Sequence, residues 1–371
     1  MIKKKLTNFE YGTLSFFMTR AFLIRGTFDC LINALRQDSW IAPILSIIPA
    51  IAYILIINYI SKYKENLTIA EKLKILFSKK ISTLLISIIS LFALALAILN
   101  LFNISIFIQS QFLSKTPVYA IAITFAIVAI YVLSKGIKTI TRTSVILFYL
   151  SIILYIISFT GLIPNLNLEN LKPILNSKPT EYLTAINSFF AYNTIVIFPL
   201  LSIPNNNIEK PKIKKTLILS YILSALTILG IIFTTITIFG YELAELFEYP
   251  IFHTLKYISI IGVTSRIESV LVMQLLFDIF MSLVIVTYFI ADNTSSIFNI
   301  KNKNILYCIL FIISIIGAIL LSFKTTLLDE VVLKILPIIT TIFTLTLITI
   351  ICIKIKKKKK SCSIIFLNTY L

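Results

Sequence analysis

The chain consists mainly of apolar stretches long enough to cross a lipid bilayer as helices. Hydrophobic residues make up 58% of its 371 residues and charged residues only 13%, and the mean hydropathy is +0.97. Soluble globular proteins carry about 25% charged residues, whereas a membrane-crossing helix needs about 20 apolar residues. The composition therefore excludes an ordinary soluble enzyme and predicts an all-α membrane protein.

Charged residues, or clusters of proline and asparagine, separate ten such stretches. Their approximate bounds are 11–33, 40–61, 81–108, 117–134, 143–163, 185–203, 215–240, 267–291, 304–323 and 332–353. This pattern predicts one ten-span domain over residues 1–355, with two halves at about 11–163 and 185–353. Residues 356–371 would form a basic tail.

The basic residues are distributed unevenly among the segments between the spans. The formal net charge is +18, from 34 Lys and Arg against 16 Asp and Glu. If the N-terminus is cytoplasmic, the inner segments hold 24 Lys and Arg and the outer segments nine, while Arg20 lies within a span. Because Lys and Arg are retained on the cytoplasmic side during insertion, both termini are predicted to be cytoplasmic. The excess charge then reflects topology in the bilayer, and no nucleic-acid partner is expected.

The chain lacks the familiar motifs of catalysis and cofactor binding. Its four cysteines form no C-x-x-C pair, it has one histidine, and it contains no H-E-x-x-H, P-loop or G-x-S-x-G sequence. We therefore expect no enzymatic activity, no metal site and no cofactor.

Two opposite charges lie within spans at similar depths. Arg20 is about 10 residues, or ~15 Å, from the inner end of span one. Asp278 is about equally far from the outer end of span eight. An isolated charge in hydrocarbon is costly, so the two side chains are predicted to pair inside the bundle. The alternative is that each separately contacts backbone carbonyls or water.

Spans one and six, the first elements of the two halves, are both interrupted by polar residues. Interrupted helices at equivalent positions of two halves are typical of transporter binding sites, where freed backbone groups contact the ligand. The alternative is that these polar side chains only form hydrogen bonds between helices. The candidate ligand-binding residues are Thr19, Arg20, Ala21, Asn100, Asn103, Tyr192, Asn193, Thr194, Gln274 and Asp278.

Two short motifs resemble those of the GerAB family of spore-germination proteins. Tyr249-Pro250, followed by Arg266-Ile-Glu268, is similar to the family's Tyr-Pro and Arg-(Ile/Leu)-Glu signature. Asp38 and Trp40, in Gln-Asp-Ser-Trp, resemble its Gln-Asp-Ala-Trp element. The resemblance covers residues from about 8 to 355.

This resemblance implies an amino acid/polyamine/organocation transporter-like fold, a 5+5 inverted repeat of ten helices with both termini in the cytoplasm. It also implies the B subunit of a germinant receptor, acting with A and C subunits in the inner spore membrane. Such a subunit would bind a small nutrient, typically an amino acid, and trigger germination. By analogy with sodium-coupled relatives of the fold, Arg20 would replace the cation between helices one and eight, which implies sodium-independent binding.

Two other functions remain open at the level of the sequence. A sodium-independent amino-acid permease would have the same fold and the same interrupted helices. A structural scaffold would keep the fold but would not need polar interruptions in spans one and six.

Overall fold

The computed structural model of the protein describes residues 5–258, 267–323 and 331–368, and these are almost entirely helical. Within these ranges, eight helical stretches are long and apolar enough to cross a membrane. Another apolar helix, Val118–Ser134, is slightly shorter. The eight stretches are Leu23–Lys62, Lys79–Gln111, Ile137–Asn165, Pro179–Ser202, Ile213–Leu246, Glu268–Phe298, Lys303–Ser322 and Val331–Lys359.

The N-terminal region contains three main α-helices, which shorter helical turns connect. Helix α1 (Asn8–Arg20) begins with a capping box, in which the side chains of Thr7 and Glu10 each accept from the other's backbone N–H. A break follows, and then α2 (Phe28–Leu35). The chain turns at Arg36, with φ 51° and ψ −123°, before α3 (Ile47–Lys62). The stretch Leu23–Lys62 is therefore bent into two arms.

The remaining helices follow in chain order. The stretch Pro179–Ser202 begins as a regular α-helix and continues as a π-helical turn, Phe190–Thr194, and a 3₁₀ segment, Ile195–Ser202. The helices are α4 (Ile69–Leu76), α5 (Lys79–Gln111), α6 (Val118–Ser134), α7 (Ile137–Leu162), α8 (Pro179–Phe189), α9 (Ile213–Leu246), α10 (Pro250–Leu255), α11 (Met273–Phe298), α12 (Lys303–Ser322) and α13 (Leu336–Asn368).

Several helices extend beyond the apolar stretches that indicated them. The predicted span 117–134 agrees closely with α6, but the span 81–108 lies within the longer α5. The last helix continues through the lysine run as far as Asn368. Backbone hydrogen bonding does not require apolar side chains, so a helix does not have to end where hydrophobicity ends.

Helix α1 lies in the centre of the bundle. Every residue from Tyr11 to Arg20 is buried, and α1 packs against α7, α9 and α11. The peripheral helices instead expose apolar side chains, such as Ile127 on α6, Ile153 on α7 and Leu320 on α12. Exposed aliphatic surface of this kind suits contact with lipid chains. The central position of α1 places its C-terminal end in the interior.

Candidate functional site

An ion pair fastens the end of α1 to the neighbouring helices. Arg20 Nε donates a hydrogen bond to Asp278 Oδ2 on α11 over 3.0 Å, and both side chains are almost completely buried. Arg20 Nη1 donates to Thr227 Oγ1 on α9 over 2.7 Å. The pairing predicted from equal depth is therefore present in the structure. Thr227, the third member, had no signal in the sequence.

The pair is only partly satisfied by hydrogen bonds. Among the described residues, Arg20 Nη2 and Asp278 Oδ1 have no hydrogen-bond partner. The guanidinium carbon of Arg20 lies 4.9 Å from the centre of the Phe16 ring, which adds a cation–π contact. A buried charge is costly unless it is paired. Each of these two groups therefore offsets part of the free-energy cost of burying the other.

The predicted span one is interrupted after Arg20, between α1 and α2. Arg25 has extended backbone angles (φ −144°, ψ 128°), and Gly26 has φ 110° and ψ −67°. Residues with a Cβ rarely adopt that second conformation, so a glycine fits it. The break separates the C-terminal end of α1 from the N-terminal end of α2, so backbone groups of both ends lie outside regular helical hydrogen bonding. The Gly26 N–H, for example, donates to Asp29 Oδ2 over 3.2 Å.

The irregular segment Phe190–Thr194, which follows α8 in the predicted span six, lies against this break. Asn193 Nδ2 donates to Thr27 Oγ1 over 3.1 Å. The Tyr192 ring lies next to Gly26, and a Cβ added to Gly26 would be 3.5 Å from this ring. The centres of the Tyr192 and Phe22 rings are 5.4 Å apart. The two interruptions predicted from the sequence therefore contact each other directly.

The space between these interruptions is closed in this structure. A cavity of about 10 Å³ lies there, bordered by Arg25, Asn103, Tyr192 and Val332 together with apolar side chains. A single water molecule requires roughly 10–15 Å³, so an amino acid would not fit. The Tyr192 hydroxyl donates to the Val332 carbonyl over 2.5 Å and connects the two walls of the cavity.

A larger cavity of about 190 Å³ adjoins the closed one. Its walls include Arg25 and Val332, which also border the smaller cavity, and the polar residues Asp29, Asn33 and Glu248. Arg25 Nη1 lies 3.8 Å from Glu248 Oε1, and the guanidinium is 5.7 Å from the Phe102 ring centre. We call this larger cavity the vestibule. Arg25 and Val332 lie between the vestibule and the closed cavity.

Several other candidate residues form hydrogen bonds between helices. This was the alternative interpretation of these positions. The pairs are Thr19 Oγ1 with Ser224 Oγ (2.6 Å), Thr194 Oγ1 with Tyr221 Oη (3.1 Å), Asn100 Nδ2 with Ser282 Oγ (3.0 Å) and Gln274 Nε2 with Ser158 Oγ (3.2 Å). Ala21 is buried at the end of α1.

Comparison with known proteins identifies the family of the chain. A profile of the family described as "Spore germination protein" matches residues 16–326. The protein belongs to this family. The resemblance inferred from the Tyr-Pro and Gln-Asp-Ser-Trp motifs is thereby confirmed, and together with the eight apolar helices it identifies a multi-pass membrane protein.

Three curated spore germination proteins are distant relatives of the chain. Putative spore germination protein YfkT of Bacillus subtilis (strain 168) is 26% identical over 65% of this chain and 66% of its own length, just under two thirds. Spore germination protein XB of Bacillus anthracis is 25% identical over 76% and 79% of the two chains. Spore germination protein KB of Bacillus subtilis (strain 168) is 22% identical over 72% and 73%.

The motif residue Asp38 of this spore germination protein anchors a loop. Its buried carboxylate accepts hydrogen bonds from the backbone N–H groups of Leu175 and Asn176, each over 2.9 Å, and of Ser177 over 3.4 Å. The Tyr182 hydroxyl donates to the same carboxylate over 2.9 Å. Asp38 thus holds residues 175–177, in the connection between α7 and α8, against the segment that follows α2.

The other motif residues occupy packed or terminal positions. The rings of Trp40 and Phe233 lie 6.1 Å apart, edge to face. Tyr249 precedes Pro250, the first residue of α10, and Glu268 lies in the first turn of the short helix Ile267–Leu271. Arg266 lies outside the described residues.

Proposed function

We propose that the protein is the integral B subunit of a spore germinant receptor, which binds a small nutrient, an amino acid, where the predicted spans one and six are interrupted. The main support is the contact of Asn193 with Thr27, which joins two interrupted helices in the centre of a membrane bundle. Membership of the spore germination family supports the biological role. In this proposal the ligand site is the closed cavity, which must widen before an amino acid can bind.

The proposed topology has ten spans in a 5+5 inverted repeat, within one domain over residues 1–355, with both termini and the basic tail in the cytoplasm. Counting α1 with α2 as one broken span, α3 as the second and α6 as the fourth extends the eight apolar stretches to ten. The excess of Lys and Arg on the predicted inner side supports the orientation. We place the protein in the inner spore membrane, by analogy with its family.

The broken helix offers both kinds of backbone group that a zwitterion needs. A carboxylate would bind the N–H groups at the start of α2, where the helix dipole is positive. The ammonium group would bind the carbonyl groups at the end of α1 and the side-chain oxygen of Asn193. Arg20 and Asp278 would fix the end of α1 and would not contact the ligand.

Ligand binding would act by shifting the protein between a closed and an opened form. A ligand shifts such an equilibrium only through different affinities for the two forms. Entry from the vestibule requires Arg25 and Val332 to separate, and a movement of α10 would close the outer side. We propose that the A and C subunits of the receptor detect this change.

A binding screen with a matched variant tests the proposal. The purified protein in lipid nanodiscs would be titrated with single amino acids by calorimetry. We expect at least one to bind, and Asn193→Ala to weaken its affinity about tenfold or more, as for loss of a hydrogen bond to a charged group. Asn205→Ala removes another buried asparagine, in a short turn outside the spans, and should leave the affinity unchanged. No binding by any amino acid, or equal losses in both variants, would contradict the proposal.

A sodium-independent permease is the second candidate function. It is favoured by the adjacency of the vestibule and the closed cavity, which share the walls formed by Arg25 and Val332. The two functions differ in net movement of ligand. A permease would accumulate radiolabelled ligand inside proteoliposomes, whereas a sensor would bind it without uptake.

A further inference from the structure

A groove of about 430 Å³ lies between α1, α7 and α9, along residues 8–16 of α1 and therefore before the break that follows this helix. Apolar side chains form most of its wall, among them Phe9, Phe16, Phe148, Leu219 and Leu223. The groove opens towards the outside of the bundle, and Leu219 in its wall is 57% exposed. Its shape and chemistry suit a hydrocarbon chain that enters from the bilayer.

One end of this groove is basic. Lys212 and Lys215 line it, close to the N-terminal end of the 34-residue helix α9. Neither lysine forms an ion pair with any residue that the structure describes. The N-terminal end of a helix also attracts anions, because its first N–H groups have no helical partners. An apolar groove with this basic end is complementary to an amphiphile with an anionic head.

We propose that the groove binds one anionic phospholipid, with its phosphate at Lys212 and Lys215 and an acyl chain along Phe16, Phe148 and Leu219. The segment 209–215 contains four lysines and one glutamate, so the surrounding field also favours an anion. This segment is on the predicted cytoplasmic side, where the headgroups of the inner leaflet lie. The inference depends on the geometry of the groove and not on the proposed germinant site.

The basic end of the groove is held in place by hydrogen bonds. Asn8 Nδ2 donates to the carbonyls of Glu209 and Lys210 over 3.1 and 3.2 Å, and Asn8 Oδ1 accepts from the Lys212 N–H over 2.8 Å. The backbone of Leu6 forms a parallel bridge with the strand-like segment at Ile208. The loop that carries the lysines is therefore attached to α1 before any lipid binds.

One side chain in the wall of the groove also contacts the buried ion pair. Phe16 lines the groove, and the same ring lies 4.9 Å from the Arg20 guanidinium. Gly12 is at the bottom, where a Cβ would lie 3.1 Å from the Thr216 side chain, so α1 and α9 approach closely there. A bound acyl chain would therefore pack against the two helices that hold Arg20, and should stabilise the fold.

Native mass spectrometry of the full-length protein tests this inference. Phosphatidylglycerol and phosphatidylcholine would be added separately, and lipid retention would be compared with the thermal unfolding temperature. We expect one tightly retained phosphatidylglycerol, which raises that temperature more than phosphatidylcholine does. Each lysine near an anionic headgroup contributes about fivefold in affinity, so Lys212→Gln with Lys215→Gln should weaken retention at least tenfold.

The matched control removes the same charge from the same segment. Lys210 and Lys214 do not line the groove, and the double change Lys210→Gln with Lys214→Gln should retain the lipid. Equal losses in the two double variants would overturn the inference, because they would indicate general attraction to a basic surface. Displacement of the lipid by excess inorganic phosphate would also overturn it, since the site would then recognise only the free anion.

A second variant tests the apolar wall of the groove without changing the net charge of the protein. Leu219→Trp should fill the groove and displace the lipid, while leaving Lys212 and Lys215 intact. A photoreactive amino acid at Leu223 should form an adduct with phospholipid in membranes. Retention of lipid by Leu219→Trp, or an adduct with a partner protein's helix in place of lipid, would overturn the inference.

Discussion

The guanidinium of Arg20 and the carboxylate of Asp278 meet 3.0 Å apart in the interior of the bundle. Because Arg20 is the last residue of α1, this contact fixes the point after which helix one is interrupted. The hydrogen bond to Thr227 adds α9 to the same junction. Three helices are therefore connected next to the break that we propose as the ligand site.

Removing one member of this pair should be more harmful than removing both. Breaking a buried ion pair costs about 3–5 kcal/mol, because the remaining charge stays buried, whereas apolar replacement of both residues is often neutral. We expect Arg20→Met and Asp278→Leu each to lower the thermal unfolding temperature strongly, and the double variant to recover most of the loss. A double variant as unstable as the worse single variant would contradict the pairing.

The position of Arg20 also predicts insensitivity to sodium. The guanidinium lies between α1 and α11, so its fixed charge would take the place that a sodium ion occupies in coupled relatives of the predicted fold. We expect the affinity for the amino acid to be the same in sodium chloride and in choline chloride, measured by calorimetry at equal ionic strength. A more than tenfold loss of affinity in choline would refute this role for Arg20.

The sequence predicted some of these features because they follow from solvation alone. Hydropathy located the helices, and equal depth paired Arg20 with Asp278. The identity of polar partners was not predictable, because a serine or threonine such as Thr227 or Ser282 can satisfy a neighbour from any helix that packs beside it. Asn100, a predicted ligand residue, is an example: it donates to Ser282 on α11, and its position in the sequence did not indicate that partner.

Asp38 should be required to hold the loop between α7 and α8. Its carboxylate accepts three backbone N–H groups and the Tyr182 hydroxyl. Hydrogen bonds to a charged group contribute about 1.5–3 kcal/mol each and a neutral one about 1 kcal/mol. We expect Asp38→Asn to make residues 173–178 markedly more sensitive to limited proteolysis, and Tyr182→Phe to have a much smaller effect. Equal cleavage of the two variants would show that the charge is not the cause.

Because of Lys72, the free energy of unfolding should change at alkaline pH. This buried lysine, outside the apolar stretches, donates to the carbonyls of Ile60 and Ser61 at the end of α3. Burial lowers its pKa from 10.5 to about 8, although nearby Glu65 opposes the shift. The unfolded chain therefore binds more protons between about pH 8 and 10.5, and the free energy of unfolding should rise with pH across that window.

The amplitude of this rise is about 3 kcal/mol, from 1.36 kcal/mol for each pKa unit. Comparison of thermal unfolding at pH 7.5 and 10 should show the rise in the unmodified protein and its loss in Lys72→Met. Lys74→Met, on the same helix at an exposed position, should keep it. An identical pH dependence in both variants would rule out Lys72 as the source.

Gly26 provides a way to separate the stability of the fold from ligand binding. Its φ of 110° is strained for any residue with a Cβ, as is the φ of 84° at Gly136. Such strain costs about 1–3 kcal/mol, so Gly26→Ala and Gly136→Ala should lower stability by similar amounts.

A Cβ at Gly26 would lie 3.5 Å from the Tyr192 ring, whereas one at Gly136 would have no neighbour within 4 Å among the described residues. Only Gly26→Ala should then also reduce amino-acid affinity, measured by calorimetry in nanodiscs, because only that backbone change lies between the interrupted helices. Equal affinities in the two variants would place the ligand site elsewhere.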